Sequence, residues 1–402
     1  MNMKWLEDWF DKIEPKGKWA WLGSTYEAFH TFAFTPKTVT RAGAHIRDAV
    51  DMKRSIIIVV IALIPALLFG MWNIGYQHYL GTQASLPAAF WPCLWFGFLR
   101  MLPLIVVSYA VGLFIEFAFA QVRHHEVNEG YLATGLLIPM IVPVTTPLWQ
   151  LALAVAFAVI IGKEVFGGSG MNFLNPALVA RAFLFFSYPT HMSGDKVWIA
   201  ADLWGSDAIA GATPMGELAA GMHPSASALD MLIGTIPGST CETSVIAIAL
   251  GAILLLFTGI ASWRIMLSVF LGGGLMGLFF NLLSTFNFSL STYTALPFYY
   301  HFLMGGFAFG AVFMATDPVT AAQTNCGKWI YGLLIGAFAV LLRVCNPAYP
   351  EGMMLSILFM NCMAPLIDHC VVARNIKRRA SRTSTTSHTS DTSLTRKEAH
   401  NG

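Results

Sequence analysis

Long apolar runs separated by short polar turns dominate this chain, and a polar interlude divides them into two groups of five. The first group runs Ile56 to Tyr76, Met101 to Ala120, Tyr131 to Val144, Leu148 to Phe166 and Ala177 to Tyr188. The second runs Thr243 to Ile260, Ile265 to Leu283, Tyr299 to Ala315, Trp329 to Val344 and Met353 to Val372. A bilayer core about 30 Å thick needs about 20 mostly apolar residues per helical crossing, fewer where the helix is broken. The pattern predicts an all-α polytopic membrane protein with about ten transmembrane helices. It divides into an amphipathic N-terminal segment (1–54), a five-helix unit (55–188), a loop (189–242), a second five-helix unit (243–372) and a Ser/Thr-rich basic tail (373–402) expected to be disordered.

Composition agrees. The 402 residues are 56% hydrophobic and 11% charged, whereas soluble domains carry about 25% charge. The net charge of +2 conceals an asymmetry: of 24 Lys and Arg, nine precede the first crossing and seven follow the last. By the positive-inside rule both tails are expected in the cytoplasm, which requires an even number of crossings. Arg123, Lys163, Arg264 and Lys328 then fall on inside turns, and the interlude, with Lys196 alone, faces outward to the periplasm of a Gram-negative cell. No apolar core of a cleavable signal peptide occurs in the first 54 residues. Basic tails without a nucleic-acid-binding fold argue for headgroup contacts and against nucleic acid. The six cysteines show no metal-binding spacing, and a cluster shared with a partner chain stays open.

An internal repeat organises the two units. Gly130-Tyr131-Leu132-Ala133-Thr134-Gly135 through Pro143-Val144-Thr145 matches Gly305-Gly306-Phe307-Ala308-Phe309-Gly310 through Pro318-Val319-Thr320, and Asn175-Pro176-Ala177 recurs as Asn346-Pro347-Ala348. The repeats begin five crossings apart, an odd number, so the halves are expected in inverted orientation, as in many secondary transporters. Gly and Pro at matching points mark broken helices, whose free backbone groups must line a cavity or meet a ligand. The expected site lies near Pro143, Asn175, Asp317 and Asn346.

Several polar residues stand out against the apolar background. Glu116 lies within the second crossing, where a carboxylate is either functional or a helix–helix hydrogen-bond donor in protonated form. Glu27 lies on the aromatic N-terminal segment, where a solvated helix face accounts for it, and Asp368 near the inner end of the last crossing is open to a cation-ligand or a solvated reading. In the interlude, Gly211 and Pro214 of Asp207-Ala208-Ile209-Ala210-Gly211-Ala212-Thr213-Pro214 predict a turn that presents the Thr213 hydroxyl.

The stretches His125–Gly130, Lys163–Gly168, Asn172–Leu178, Ile236–Ser239, Gly306–Gly310 with Ala315–Pro318, and Asn346–Met354 resemble the NqrB family, the B-type membrane subunits of the Na⁺-translocating NADH:quinone reductase, from about Glu27 to Arg379. The resemblance implies a subunit of a membrane-bound NADH:ubiquinone reductase that carries electrons through flavins to quinone and exports Na⁺ across the bacterial inner membrane. It implies covalent FMN on Thr213, placed there by a flavin transferase that reads Asp207, Gly211 and Ala212, with Ala210 departing from the usual Ser or Thr. It further implies noncovalent riboflavin near Asn172 and Asn175, quinone contact at Gly112-Leu113 where the family has Gly-Gly, and sodium uptake through Glu27, Glu116 and Asp368. The implied partners are the other subunits of a hetero-hexamer, membrane lipid and quinone. NADH oxidation is expected elsewhere, since this chain has no Gly-x-Gly-x-x-Gly loop. Two other readings fit the same repeat: the RnfD component of the related Rnf complex, and a flavin-free permease or channel.

Overall fold

The architecture was obtained as a computed structural model. It describes residues 26, 40, 42–44, 52–82, 89–123, 130–194, 197–200, 211–286, 290–346 and 352–398, for 52, 53 and 382–398 the backbone alone. Glu27 and Asp207 lie outside the described residues, as do His125 and Pro347. The described chain is helical, with no strand among its described residues.

The helices that place the site are α1 (Met52–Gly81), α2 (Phe90–Arg123), α3 (Tyr131–Ile141), α4 (Leu148–Gly162) and α5 (Pro176–Ser187) before the interlude. Within the interlude lies the short α6 (Pro214–Ala219), and after it come α7 (Val245–Phe257), α8 (Trp263–Thr285), α9 (Asn325–Cys345) and α10 (Gly352–Glu398). Six segments are long and apolar enough to cross a membrane: Arg54–Gly81, Phe90–Arg123, Leu148–Phe166, Trp263–Thr285, Asn325–Cys345 and Gly352–Ser381. Three expected crossings, α3, α5 and α7, are helices of 11, 12 and 13 residues. At 1.5 Å per residue they span about 16 to 20 Å, well short of a bilayer core. The remaining expected crossing, Tyr299 to Ala315, is broken into Tyr300–Leu303, Phe307–Phe309 and a π-helical turn Gly310–Met314.

Two features differ from the sequence expectation. The second crossing begins eleven residues earlier, at Phe90, because Pro92 falls in the first helical turn, where a missing N–H leaves no bond unmade. The last helix runs past the expected end of the crossing at Val372 and through the Ser/Thr-rich tail to Glu398. No Gly or Pro interrupts that segment, so the backbone meets no breaker.

The packing repeats along with the sequence. Helix α4 packs on α2 and α5 as α9 packs on α8 and α10. Likewise α3 contacts α2 and α5, while the π-helical turn contacts α8 and α10. Small residues permit the closest of these approaches: a methyl on Gly272 would overlap the Leu333 carbonyl, and one on Gly336 the Val269 carbonyl. The two halves meet chiefly through α1 against α7. One continuous core of buried Leu, Ile, Met and Phe runs through both, and α1, α7 and α8 turn rows of exposed Leu, Ile and Phe outward, as a lipid-facing surface requires.

Candidate functional site

Two polar centres sit in the apolar body, at opposite ends of α1. Near its start, Ser55, Ile56 and Val59 help to line a cavity of about 350 Å³ between the halves. Near its end, Asn73 donates to the Ile236 carbonyl (3.0 Å) and a His78 ring nitrogen bonds the Ala200 carbonyl (2.7 Å). Both acceptors belong to the interlude. Val59 and Asn73 are fourteen residues apart on one helix, so the centres are separated by about 21 Å or more.

The cavity joins the two repeats. The first repeat contributes Gly130, Thr134, Lys163, Asn172 and Asn175, and the second contributes Phe313, Thr316 and Asp317. The Asn175 side-chain oxygen Oδ1 accepts from the Ala177 amide (3.0 Å), capping α5 ahead of Pro176 at its first position. Its amide nitrogen then points to Asp317 Oδ2 (3.5 Å), which also accepts from the Thr320 hydroxyl (2.9 Å). Asn172 donates to the Leu174 carbonyl (2.9 Å), leaving its own amide oxygen with no hydrogen bond among the described residues. Of the four residues expected to converge, Asn175 and Asp317 meet here. Pro143 and Asn346 do not line this cavity. Pro143 lies instead beside the second centre, between the Val142 carbonyl, which accepts from the Thr240 hydroxyl, and Thr145, which donates to the Val197 carbonyl.

Beside the cavity, Lys163 is buried and forms an ion pair with buried Glu116, its ammonium 5.9 Å from the Tyr131 ring centre. The positive-inside pattern places Lys163 on an inside turn. The structure buries it at the end of α4, where a carboxylate within an apolar bundle favours a nearby cation. Glu164 next to it pairs with Arg123 (3.4 Å).

Gly112 faces Tyr131, whose ring occupies the space that a side chain there would need, and the Tyr131 hydroxyl donates to the Ser108 carbonyl (2.9 Å). Leu113 lies half-buried on the neighbouring face of α2. Gly112→Ala must displace the ring, so a loss of about 1–3 kcal/mol in stability is expected, read as a lower unfolding midpoint of the purified protein. Asp368, half-buried, accepts from the amides of Gln323 (2.6 Å) and Thr324 (3.0 Å) and from the Thr324 hydroxyl (2.5 Å). It therefore fixes the start of α9, and Asp368→Ala is expected to lower stability by about 1–3 kcal/mol, measured the same way.

The second centre carries Thr213. Its hydroxyl oxygen accepts from the Gly216 amide (3.0 Å), making Thr213 the N-cap of α6, with Pro214 at the first helical position. Residues 211 to 213 are half-buried, and a side chain on Gly211 would run into Ile199. The following residue pair anchors the loop inward: Tyr293 donates to the Met215 carbonyl (2.7 Å). Burial pushes the Tyr293 phenol up to about 12, against the opposing pull of Arg343, so it stays a donor at every physiological pH.

Behind this loop stands a buried clamp that sequence reading did not single out. Arg181 of α5 donates to Glu242 (2.9 Å), Ser239 (3.4 Å) and the Ile141 carbonyl at the end of α3. The Cys241 amide donates to the Met140 carbonyl (3.1 Å) and the Thr240 hydroxyl to the Val142 carbonyl (3.1 Å). Thus the carbonyls freed by the break of α3 are met by the turn 236–242. An arginine in the apolar run 177–188 was the available signal, since a membrane charge demands a partner. Among the described residues no group of His, Cys, Asp and Glu forms a metal cluster, and the described cysteines are free.

The NQR2, RnfD, RnfE family model matches residues 39–377 of this chain. The B-type subunit of the Na⁺-translocating NADH-quinone reductase of Ectopseudomonas mendocina is 48% identical, with 94% of this chain and 99% of that protein aligned. The protein of the same name from Stutzerimonas stutzeri is 47% identical over 94% of this chain and 97% of its own length. That from Chromohalobacter salexigens is 46% identical over 94% and 96%.

Proposed function

The chain belongs to the NQR2, RnfD, RnfE family, and on that premise we propose that it carries electrons through two flavins to quinone as the NqrB-type component of a sodium-exporting NADH:quinone reductase. Its being a multi-pass membrane subunit of such an oxidoreductase complex follows from the near full-length relatives and the six helices long and apolar enough to cross a membrane. The finer reading is ten crossings in two inverted five-helix repeats, termini in the cytoplasm and the Thr213 loop in the periplasm. Matching pairwise packing in the two halves supports it, as do short or broken helices at corresponding points.

The observation that carries the flavin reading is the pair of centres at the two ends of α1. At one, Thr213 is fit for FMN attachment. Its oxygen serves the helix cap only as an acceptor, so esterification replaces the hydroxyl proton and leaves the capping lone pair in place. At the other, a cavity of about 350 Å³ matches the size of small-molecule sites, about 300–1,000 Å³. Asn172, Asn175, Thr134 and Thr316 line it with amide and hydroxyl groups suited to the edge of riboflavin, and Leu137, Val59 and Phe313 offer apolar walls. Bound flavin supplies the one- and two-electron chemistry, while the protein holds and orients it. Ubiquinone is the proposed acceptor, NADH chemistry belongs to other subunits of a hetero-hexamer, and maturation needs a flavin transferase.

The test is cofactor release. Acid extraction of the purified complex is expected to yield one dissociable riboflavin per copy of this chain, and Asn175→Leu to lower that yield at least tenfold while the flavin covalently held at Thr213 stays. An undiminished yield in the variant would move the riboflavin site elsewhere. Absence of any flavin in the wild type would favour the permease.

A further inference from the structure

A second cleft, also of about 350 Å³, opens where α8 and α9 begin, on the far side of Ile260 and Ala261, which it shares with the wall of the cavity between the halves. Its wall is formed by Leu256, Ser262, Trp263, Arg264 and Lys328, among others. The Arg264 guanidinium donates to the Asn325 side chain (2.7 Å) and lies 5.4 Å from the Trp263 ring centre, which fixes its charge beside the opening. The Lys328 ammonium has no hydrogen-bond or ion-pair partner among the described residues. Two cations thus line one concave spot, and the acid that caps the start of α9, Asp368, is committed to Gln323 and Thr324.

The setting identifies the anion. Trp263 and Trp329 pack edge to face (5.9 Å) where two long apolar helices start, the position of aromatic residues at a membrane–water interface. From that level, exposed Leu267 and Leu271 on α8 and Ile330 on α9 continue away from the cleft, with exposed Leu256 and Phe257 flanking it. A polar mouth with two cations above an apolar slope matches a headgroup with its chains, whereas a free anion uses only the mouth. We propose that this cleft binds the phosphate of an anionic phospholipid, with Arg264 and Lys328 on the headgroup and the α8 leucines along an acyl chain.

The proposal is tested on the whole purified complex, freed of native lipid in detergent and titrated with phosphatidylglycerol or phosphatidylcholine while bound lipid is counted by native mass spectrometry. Each basic residue at such a surface contributes about fivefold in affinity. Arg264→Gln with Lys328→Gln is therefore expected to weaken phosphatidylglycerol binding about thirtyfold, with phosphatidylcholine binding unchanged. Should the double variant fail to assemble, Lys328→Gln alone is expected to lower it about fivefold. Equal phosphatidylglycerol binding by wild type and variants would overturn the site. Displacement of the lipid by millimolar inorganic phosphate would overturn the lipid assignment in favour of a soluble phosphate.

Discussion

Arg181→Met is expected to destabilise the protein by about 3–5 kcal/mol, more than Gly112→Ala or Asp368→Ala, because it leaves the buried Glu242 carboxylate without its cation. Both side chains are almost wholly buried, at 2% and 3% exposure. The guanidinium also holds the Ile141 carbonyl and Ser239, so the loss reaches both the break in α3 and the turn 236–242. The change is expected as a large fall in the unfolding midpoint of the purified complex. Converting both partners, Arg181→Met with Glu242→Met, is expected to recover much of it, since no unpaired charge remains. A single variant as stable as wild type would show that the clamp holds nothing.

The Glu116–Lys163 pair yields the second large effect, with opposite signs for its two members. If Glu116 takes up sodium, as the family resemblance implies, Lys163 occupies the carboxylate in the cation-free state and must yield to the ion. Glu116→Gln removes the hard oxygen charge that a Na⁺ ion requires, and the half-saturating Na⁺ concentration for quinone reduction is expected to rise at least tenfold, about 1.4 kcal/mol or more. Lys163→Met removes the competitor, so that concentration is expected to fall. Because Lys163 also lines the cavity, riboflavin content is measured alongside to separate loss of flavin from loss of sodium. A rise in both variants would make the pair a structural brace only.

Much of this was legible in the chain, for definite reasons. Apolar run lengths placed α1, α2, α4, α8, α9 and α10, since a bilayer forces about 20 apolar residues per crossing. Matching Gly and Pro positions announced the broken segments, and Asn175 with Asp317 does meet across the repeats. Partner choice was not legible. Glu116 and Lys163 are 47 residues apart and Arg181 and Glu242 are 61 apart, and no local spacing encodes a pairing made by helix packing. The filling of the space over Gly112 was not legible either, because only the fold brings the Tyr131 ring onto it. Asp368 reads as a lone acid until the start of α9 arrives beside it.

The central claim is that Thr213 carries a flavin, and the mass of the peptide containing it tests that most directly. Complex produced together with its flavin transferase would be denatured, resolved on a gel under ultraviolet light, and the band digested with trypsin. The account predicts a fluorescent band and a Thr213 peptide heavier by one FMN less one water, with both signals gone in Thr213→Ala. An unmodified Thr213 peptide in the wild-type chain would contradict it.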